Sequence, residues 1–455
     1  MTSRRHVVFV ERPAPGARRV VRHRDGGGLL LIAFVIGLSG LPAPAFAQTV
    51  LTWSEVRARF QATNPTLQAD QIGIEELKAN EITAFLRPNP QLSATLDQIG
   101  HTQLESGVAG GVFDASNPIV AASYLHERQA KRELRRDSAQ GASAIAASTH
   151  ADLERTLVFV LRTAFVQVLQ AKAFWALAQA NLTAYDRALA LSRDRFQAGD
   201  IARIDLDRLE LQRVTYESDV QTAQVNLRVA KIQLLRFLND QSTPVDRFDV
   251  TGPYDFTSPP QTLDEVRRIA LDTRPDLKAA LAGIEKAKID HRLAIANGST
   301  DPVINVDAGF PALSQAWRSY NPPLREYVGV GITVPLRFFD RNQGEKLRTE
   351  LDISRNEKLV AAARLQVFGD VDTAYAMVMS TVALLEPYKD RYLDQATRVR
   401  ETVTFSYQSG GASLLDFLQA QQEYRAVQVS YVNLLAGFLN AVNQLNLAIG
   451  REVLQ

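Results

Sequence analysis

Hydrophobic positions along the chain recur with two periods. In VINVDAGF (303–310), Ile304, Val306, Ala308 and Phe310 alternate with Asn305, Asp307 and Gly309; in YVGVGITV (327–334), Val328, Val330, Ile332 and Val334 alternate with small or polar residues. A period of two sends successive side chains to opposite faces, so both segments are predicted strands with one apolar face. QLSATLD (91–97) and PIVAASYL (118–125) alternate more weakly, which gives four strands in all. Elsewhere the period is helical. From Arg341 to Gln408 the composition stays helical for about 70 residues, roughly 100 Å at 1.5 Å each. Only Pro387 interrupts it, where a kink rather than an end is expected. Tyr431, Leu435, Phe438, Val442, Leu445 and Ile449 are spaced 4, 3, 4, 3, 4, the period of a coiled coil. The fold class is therefore mainly α with a small β part, its helices suited to a rod or tube rather than a compact domain.

The pattern is written twice. A shift of 210 superposes SEVRARFQATNPTLQADQIGIEELK (54–78) on DEVRRIALDTRPDLKAALAGIEKAK (264–288), with Glu55/Glu265, Val56/Val266, Thr63/Thr273, Pro65/Pro275, Leu67/Leu277 and Gly73/Gly283 among the identities. A shift of 211 puts RFQAGDIARIDLD (195–207) on SYQSGGASLLDFL (406–418), matching Gln197/Gln408, Gly199/Gly410 and Asp205/Asp416. One register held over so long a span implies internal duplication. The first repeat is 48–239, with strands about 89–101 and 111–125 and a long helical hairpin whose tip is 197–203. A Pro-rich connector, 240–261, leads to the second repeat, 262–455, with strands about 302–312 and 326–337 and a hairpin tip at 408–413. Pro65 and Pro275 suit the first helical position, where the missing N–H costs nothing.

Composition adds a destination. An Arg-rich start, the apolar run Leu29–Leu38 and Ala45-x-Ala47 read as a signal peptide over 1–47, too short in its apolar part to cross a bilayer. Removing the leader's 7 basic and 2 acidic residues from the chain's 51 and 50 leaves a net charge near −4, which gives no reason to expect nucleic acid. With no cysteine there is no disulfide, thiolate metal site or acylated cysteine. No later segment has 18 uncharged apolar residues, so no transmembrane helix is expected to follow.

Catalytic chemistry finds little support. His101, His126, His150 and His291 are widely spaced with no second ligand at helical spacing, so neither a metal site nor a cofactor is expected, and no phosphate loop or nucleophile motif appears. The chain does not read as an enzyme. Met377 and Met379 fall on different helix faces, as packing residues would. The basic run HERQAKRELRR (126–136) is a solvated helix face or, given its place after a strand, an anchor at a membrane boundary.

Four strands with one apolar face do not close by themselves, since the smallest filled barrels need about eight, and open edges are excluded from lipid. Either several chains share a barrel, or the strands form one soluble layer beside a helical rod. The signal peptide, the duplicated helix-strand-strand-helix-turn-helix order and the run VPLRFFDRNQG (334–344) together resemble the TolC-like outer-membrane efflux channel family. Pro335, Asp340, Arg341, Asn342 and Gly344, at the step from strand to helix, are similar to the branch serving cobalt-zinc-cadmium exporters.

The resemblance implies a homotrimer in the outer membrane of a Gram-negative bacterium. Each chain would give four strands to one 12-stranded transmembrane β-barrel, set in outer-membrane lipid and continued by a periplasmic α-helical barrel. It implies a passive conduit, for heavy-metal cations or small toxic compounds, partnered by a periplasmic adaptor and an inner-membrane RND-type pump. Gly199, Asp200, Arg203, Gly410, Gly411 and Ser413 match the adaptor-docking tips, and Asp416, Asp205 and Gln419 the channel gate. Two departures stand out: Gln419 occupies the place of a second gate aspartate, and Ala412 that of an arginine which locks the closed tips, for which only Arg203 could substitute. The bland alternative for Asp205 and Asp416 is a carboxylate complementing a helix N-terminus. Two other functions stay open: the exit duct of a type I protein secretion system, and a periplasmic coiled-coil scaffold without a pore.

Overall fold

The computed structural model describes residues 49–97, 99, 116–257, 261–311 and 325–453, all within Gln48–Gln455. The expected leader, His101 and the outer margins of three of the predicted strands lie outside the described residues.

The described residues open with β1 (Thr49–Leu51), α1 (Trp53–Thr63) and α2 (Pro65–Phe85). Asn64 caps α2, its side-chain oxygen accepting from the N–H groups of Thr66 (2.9 Å) and Leu67 (3.1 Å), with Pro65 in the first turn. Strands β2 (Gln91–Asp97) and β3 (Asn117–Leu125) follow, then a hairpin of two long helices, α3 (Lys131–Ala198) and α4 (Arg203–Phe237). After β4 (Phe248–Val250) the order repeats: α5 (Leu263–Thr273), α6 (Pro275–Asn297), β5 (Val303–Gly309) and β6 (Tyr327–Thr333). A second hairpin completes it, with α7 (Gln343–Pro387) and α8 (Leu393–Gln408) ascending and α9 (Leu414–Ile449) returning.

Strands β2, β3, β5 and β6 form one antiparallel sheet in that order. The expectation of four strands in all is corrected to six among the described residues, because β1 and β4 pair in parallel as a separate two-stranded sheet. Three residues are too few to show an alternation, and the partner lies about 200 residues away, so no local pattern announces this pair.

Pro387 does not end its helix. The run passes directly into a π-helical turn, Tyr388–Tyr392, which starts one residue past the proline, and then into α8; such wide turns occur as insertions within α-helices. A second correction concerns hydropathy: Lys131–Ala198, Gln343–Gln408 and Leu414–Ile449 each contain an 18-residue window long and apolar enough to cross a membrane by length and composition. The first two windows pass because they tolerate an occasional charge, and the last because Asn and Gln rather than charges interrupt its apolar residues. Between 28% and 56% of each is buried within the chain, so part of that apolarity serves packing between helices.

Side chains at coiled-coil spacing fill the seams. Leu435, Phe438, Val442, Leu445 and Ile449 of α9 are buried against Val367, Val371 and Leu385 of α7 and Val266 and Leu277 of α5 and α6. In the first repeat Val56, Phe60, Leu161, Phe165 and Leu234 close around Phe248 and Val250. The same hydroxyl makes the same joint in both halves. Thr63 Oγ1 donates to the carbonyl of Leu238 at 3.0 Å, and Thr273 Oγ1 to that of Ile449 at 2.5 Å, so each short helix clamps the end of its hairpin's returning helix.

Candidate functional site

The sheet divides its side chains by chemistry. Through the register Leu92↔Ala122↔Val306↔Val330, with its neighbours two residues away, one face carries Leu92, Ala94, Leu96, Val120, Ala122, Ile304, Val306, Val328, Val330 and Ile332, with the Tyr124 hydroxyl as its one polar group. Much of it is bare: Leu92 is 79% exposed, Val330 76%, Val328 73% and Ile332 69%. The other face carries Ser93, Thr95, Asp97, Asn117, Ser123, Asn305, Asp307 and Thr333. Its glycines are there for close approach. A Cβ on Gly309 would lie 2.3 Å from the Tyr327 ring, and one on Gly329 2.6 Å from a carboxylate oxygen of Asp307, so both large side chains lie flat over a cross-strand glycine. The outer strands β2 and β6 have no partner on their far sides among the described residues.

The DRNQG run is a built turn. Asp340 Oδ1 accepts from the N–H of Asn342 (2.8 Å), and Gln343 Oε1 from that of Arg341 (2.8 Å). Asn342 caps α7 in the left-handed region, φ 61°, and its side-chain amide donates to the carbonyl of Ala294 at 2.8 Å. Pro335 lies two residues past the end of β6, and a Cβ on Gly344 would meet nothing within 4 Å.

At the opposite end of the helices the two hairpin tips turn on glycines at φ +85° (Gly199) and +81° (Gly410), a region that costs other residues roughly 1–2 kcal/mol. The N–H of Asp200 bonds back to the carbonyl of Arg195 (2.9 Å) and that of Gly411 to Ser406 (2.8 Å), closing each ascending helix. Ser413 and Asp416 form a capping box on α9: the serine Oγ accepts from the N–H of Asp416 (3.2 Å), while Asp416 Oδ2 accepts from the Ser413 N–H (3.1 Å) and hydroxyl (2.7 Å). Asp416 is exposed, and the Ser413 hydroxyl, then its N–H, holds the carboxyl below its ordinary value. Asp205 occupies the first turn of α4. Gln419 faces solvent, its amide donating to Glu423 Oε1 at 2.9 Å. Arg203 is paired within its own helix to Asp207 (2.8 Å) and so does not tie the tips together.

A different arginine does. Arg195 Nη1 donates to the carbonyl of Tyr407 at 2.7 Å, and the guanidinium lies 5.4 Å from that ring's centre. Around it Tyr185, Leu189, Leu206, Leu209, Tyr216, Tyr407 and Phe417 form one buried cluster, with Tyr407 stacked on Phe417 at 4.8 Å. Farther from the tips Arg425 pairs with Asp219 at 2.8 Å. Sequence patterning misses Arg195 because its partner is a backbone carbonyl 212 residues away. Of the histidines, His150 Nδ1 lies 2.7 Å from Asp70 Oδ2 and His291 Nδ1 2.9 Å from Thr349 Oγ1. No group of three potential metal ligands occurs among the described residues.

Residues 266–451 match the model of the family described as outer membrane efflux protein. Over that stretch the chain is similar to outer membrane efflux proteins. The chain is 24% identical to the pyoverdine export outer membrane protein OpmQ of Pseudomonas aeruginosa, over 83% of this chain and 80% of that one. It is 22% identical to the cobalt-zinc-cadmium resistance protein CzcC of Cupriavidus metallidurans, over 91% and 94%. Its fold is that of VceC, an outer membrane protein of Vibrio cholerae, at TM-score 0.68 and 17% identity over 88% and 96% of the two chains. Both the matched family and OpmQ are described as outer-membrane proteins.

Proposed function

We propose that three copies of this chain form the outer-membrane conduit of a tripartite efflux system. Each would contribute the sheet β2–β3–β5–β6 to one 12-stranded barrel and its two hairpins to a periplasmic tube that meets an adaptor and an inner-membrane RND-type pump. The observation that carries this reading is the sheet with one predominantly apolar, exposed face, one face bearing its polar residues, and two open edges among the described residues. An open edge is not stable in lipid, so the missing neighbours are supplied by identical sheets. The chain is read as an internal duplication of 48–239 and 262–455, supported by the paired clamps at Thr63 and Thr273. Purified protein should behave as a detergent-dependent trimer and give discrete conductance steps in planar bilayers; a water-soluble monomer without conductance would refute the proposal.

Asp416 and Asp205 are assigned to the periplasmic constriction, with Gln419 one turn on. Gly199, Asp200, Arg203, Gly410, Gly411 and Ser413 are assigned to the docking tips. Three Asp416 carboxylates about an axis would favour cations, which suits heavy-metal cations, the substrates that the name of CzcC suggests; small toxic compounds are the broader alternative. The capping box gives Asp416 a structural role at the same time. Crosslinking at Gly199 and Gly410 to the adaptor tests the tips. A genetic neighbour encoding a peptide-exporting ATPase would favour a protein-secretion duct instead, and extraction without detergent a scaffold.

A further inference from the structure

All four helix-to-strand junctions of the large sheet lie at one end, and that end carries a collar outside the ladder. Past the end of β6, Leu336 is 71% exposed, Phe338 68% and Phe339 93%, an unusual display for two adjacent aromatics. Arg87, Arg128 and Arg341 stand at the same level. Arg87 lies four residues before Gln91, the first residue of β2; the Arg128 N–H donates to Asp301 Oδ1 at 2.9 Å, just before β5; and a Cβ on Gly298, just after α6, would lie 2.7 Å from the Arg341 carbonyl. All three arginines are exposed, and none has an ion-pair partner among the described residues. By contrast Lys131, Arg132, Arg135 and Arg136 of the basic run are paired to Asp301, Glu133, Glu127 and Asp137.

We infer that this collar is a binding surface for anionic phospholipid headgroups, with Phe338 and Phe339 seated at the boundary between acyl chains and headgroups and the three arginines on phosphate. The inference rests on the membrane reading above and goes beyond it. Three arguments support it. The seven residues of β6, Tyr327–Thr333, reach roughly 23 Å, or about 18 Å in height when tilted, short of the ~25 Å apolar band of an outer-membrane barrel. The exposed apolar side chains that extend the band at this end are Val334, Leu336, Phe338 and Phe339, on either side of Arg337 and continuous with the bare face of Val328, Val330 and Ile332. Aromatic rings favour the interface, and a guanidinium is the side chain whose geometry matches phosphate. A chain without cysteine has no acylated cysteine to hold this level of the protein in the leaflet, so its own surface must do so.

The test uses the full mature chain reconstituted in phosphatidylethanolamine/phosphatidylglycerol vesicles. Tryptophan replaces Phe339 in one variant and Val330 in another, and the unsubstituted chain supplies the native background. Fluorescence of Phe339→Trp should be quenched more by bromines near the headgroup than by bromines near the chain ends, with the reverse for Val330→Trp. Brominated phosphatidylglycerol should quench Phe339→Trp more than brominated phosphatidylethanolamine at equal mole fraction, each arginine contributing a preference of roughly five-fold at most. That preference should vanish when Arg87, Arg128 and Arg341 are all changed to Gln. If Val330→Trp is quenched while Phe339→Trp is not, or if the preference survives the triple substitution, the collar does not bind these lipids although the barrel stands. If neither tryptophan is quenched, the membrane reading fails and takes this inference with it.

Discussion

Replacing Val330 by Arg separates a lipid-facing sheet from a solvent-facing one. Val330 is the central residue of β6, opposite Val306 in the register, and is 76% exposed in the single chain. If water covers that face, the guanidinium meets no barrier and the change costs within about 0.5 kcal/mol, as ordinary surface substitutions do. If lipid covers it, position 330 lies near the middle of the apolar band, where an arginine costs ~2–4 kcal/mol per chain; three chains would together lose roughly 6–12 kcal/mol. Gly331→Ser is the control, since it adds a small polar group on the opposite face, where a Cβ meets nothing within 4 Å. The assay is refolding from urea into lipid vesicles, scored by the midpoint of the urea transition and by the fraction of protein that floats with the lipid. Val330→Arg should lose most of its insertion and Gly331→Ser almost none. Equal insertion of both variants would show that the apolar face does not meet hydrocarbon.

Other outcomes follow from the tips and the core. Valine at Gly199 or Gly410 should cost roughly 1–2 kcal/mol each through the left-handed backbone alone, read as a lower thermal midpoint; no loss would mean the turn relaxes to another conformation. Because Ser413 depresses the Asp416 carboxyl, the capping interaction is fully present above the ordinary carboxylate range and is lost only as pH falls through the depressed value. Amide protection in the first turn of α9 should therefore persist at mildly acidic pH and fall below it, and protection that does not change would contradict the cap. Asp416→Ala should also weaken the cation selectivity of the reconstituted pore, and unchanged selectivity would remove that residue from the constriction. Arg274, 3% exposed, pairs with Asp276 (2.6 Å) and Asp370 (2.8 Å) and donates to the carbonyl of Ala448; Arg274→Ala should cost about 3 kcal/mol, and a loss below about 1 kcal/mol would show that water replaces it.

Much of this was legible because single positions obey strong local rules. Val328, Val330 and Ile332 alternate with glycines and Thr333, so both face and register were readable in β6. In β3 the signal was weaker because Ile119, Ala121 and Leu125 put apolar groups on the polar face as well. The turn glycines and the Ser413-x-x-Asp416 box have local signatures, whereas β1 pairing with β4 and Arg195 reaching Tyr407 depend on contacts far apart in sequence. Pro387 could be seen as an interruption, but a π-helical turn is a response of the backbone for which the residues 388–392 carry no distinctive pattern.

That turn leaves the two hairpins mechanically unequal. The first hairpin ascends through 68 unbroken residues of α3, whereas the second has a joint at Tyr388–Tyr392, tethered by Lys389, which lies 3.6 Å from Asp255 and 5.0 Å from the Phe256 ring centre. Compliance is therefore concentrated in one strut of four, and leverage applied at the lower end of α8 would pivot about this knuckle while α3 stays stiff. The segment between the repeats thus acts as a stay on the joint rather than a passive spacer, and faster amide exchange at 388–392 after Lys389→Ala would register its release.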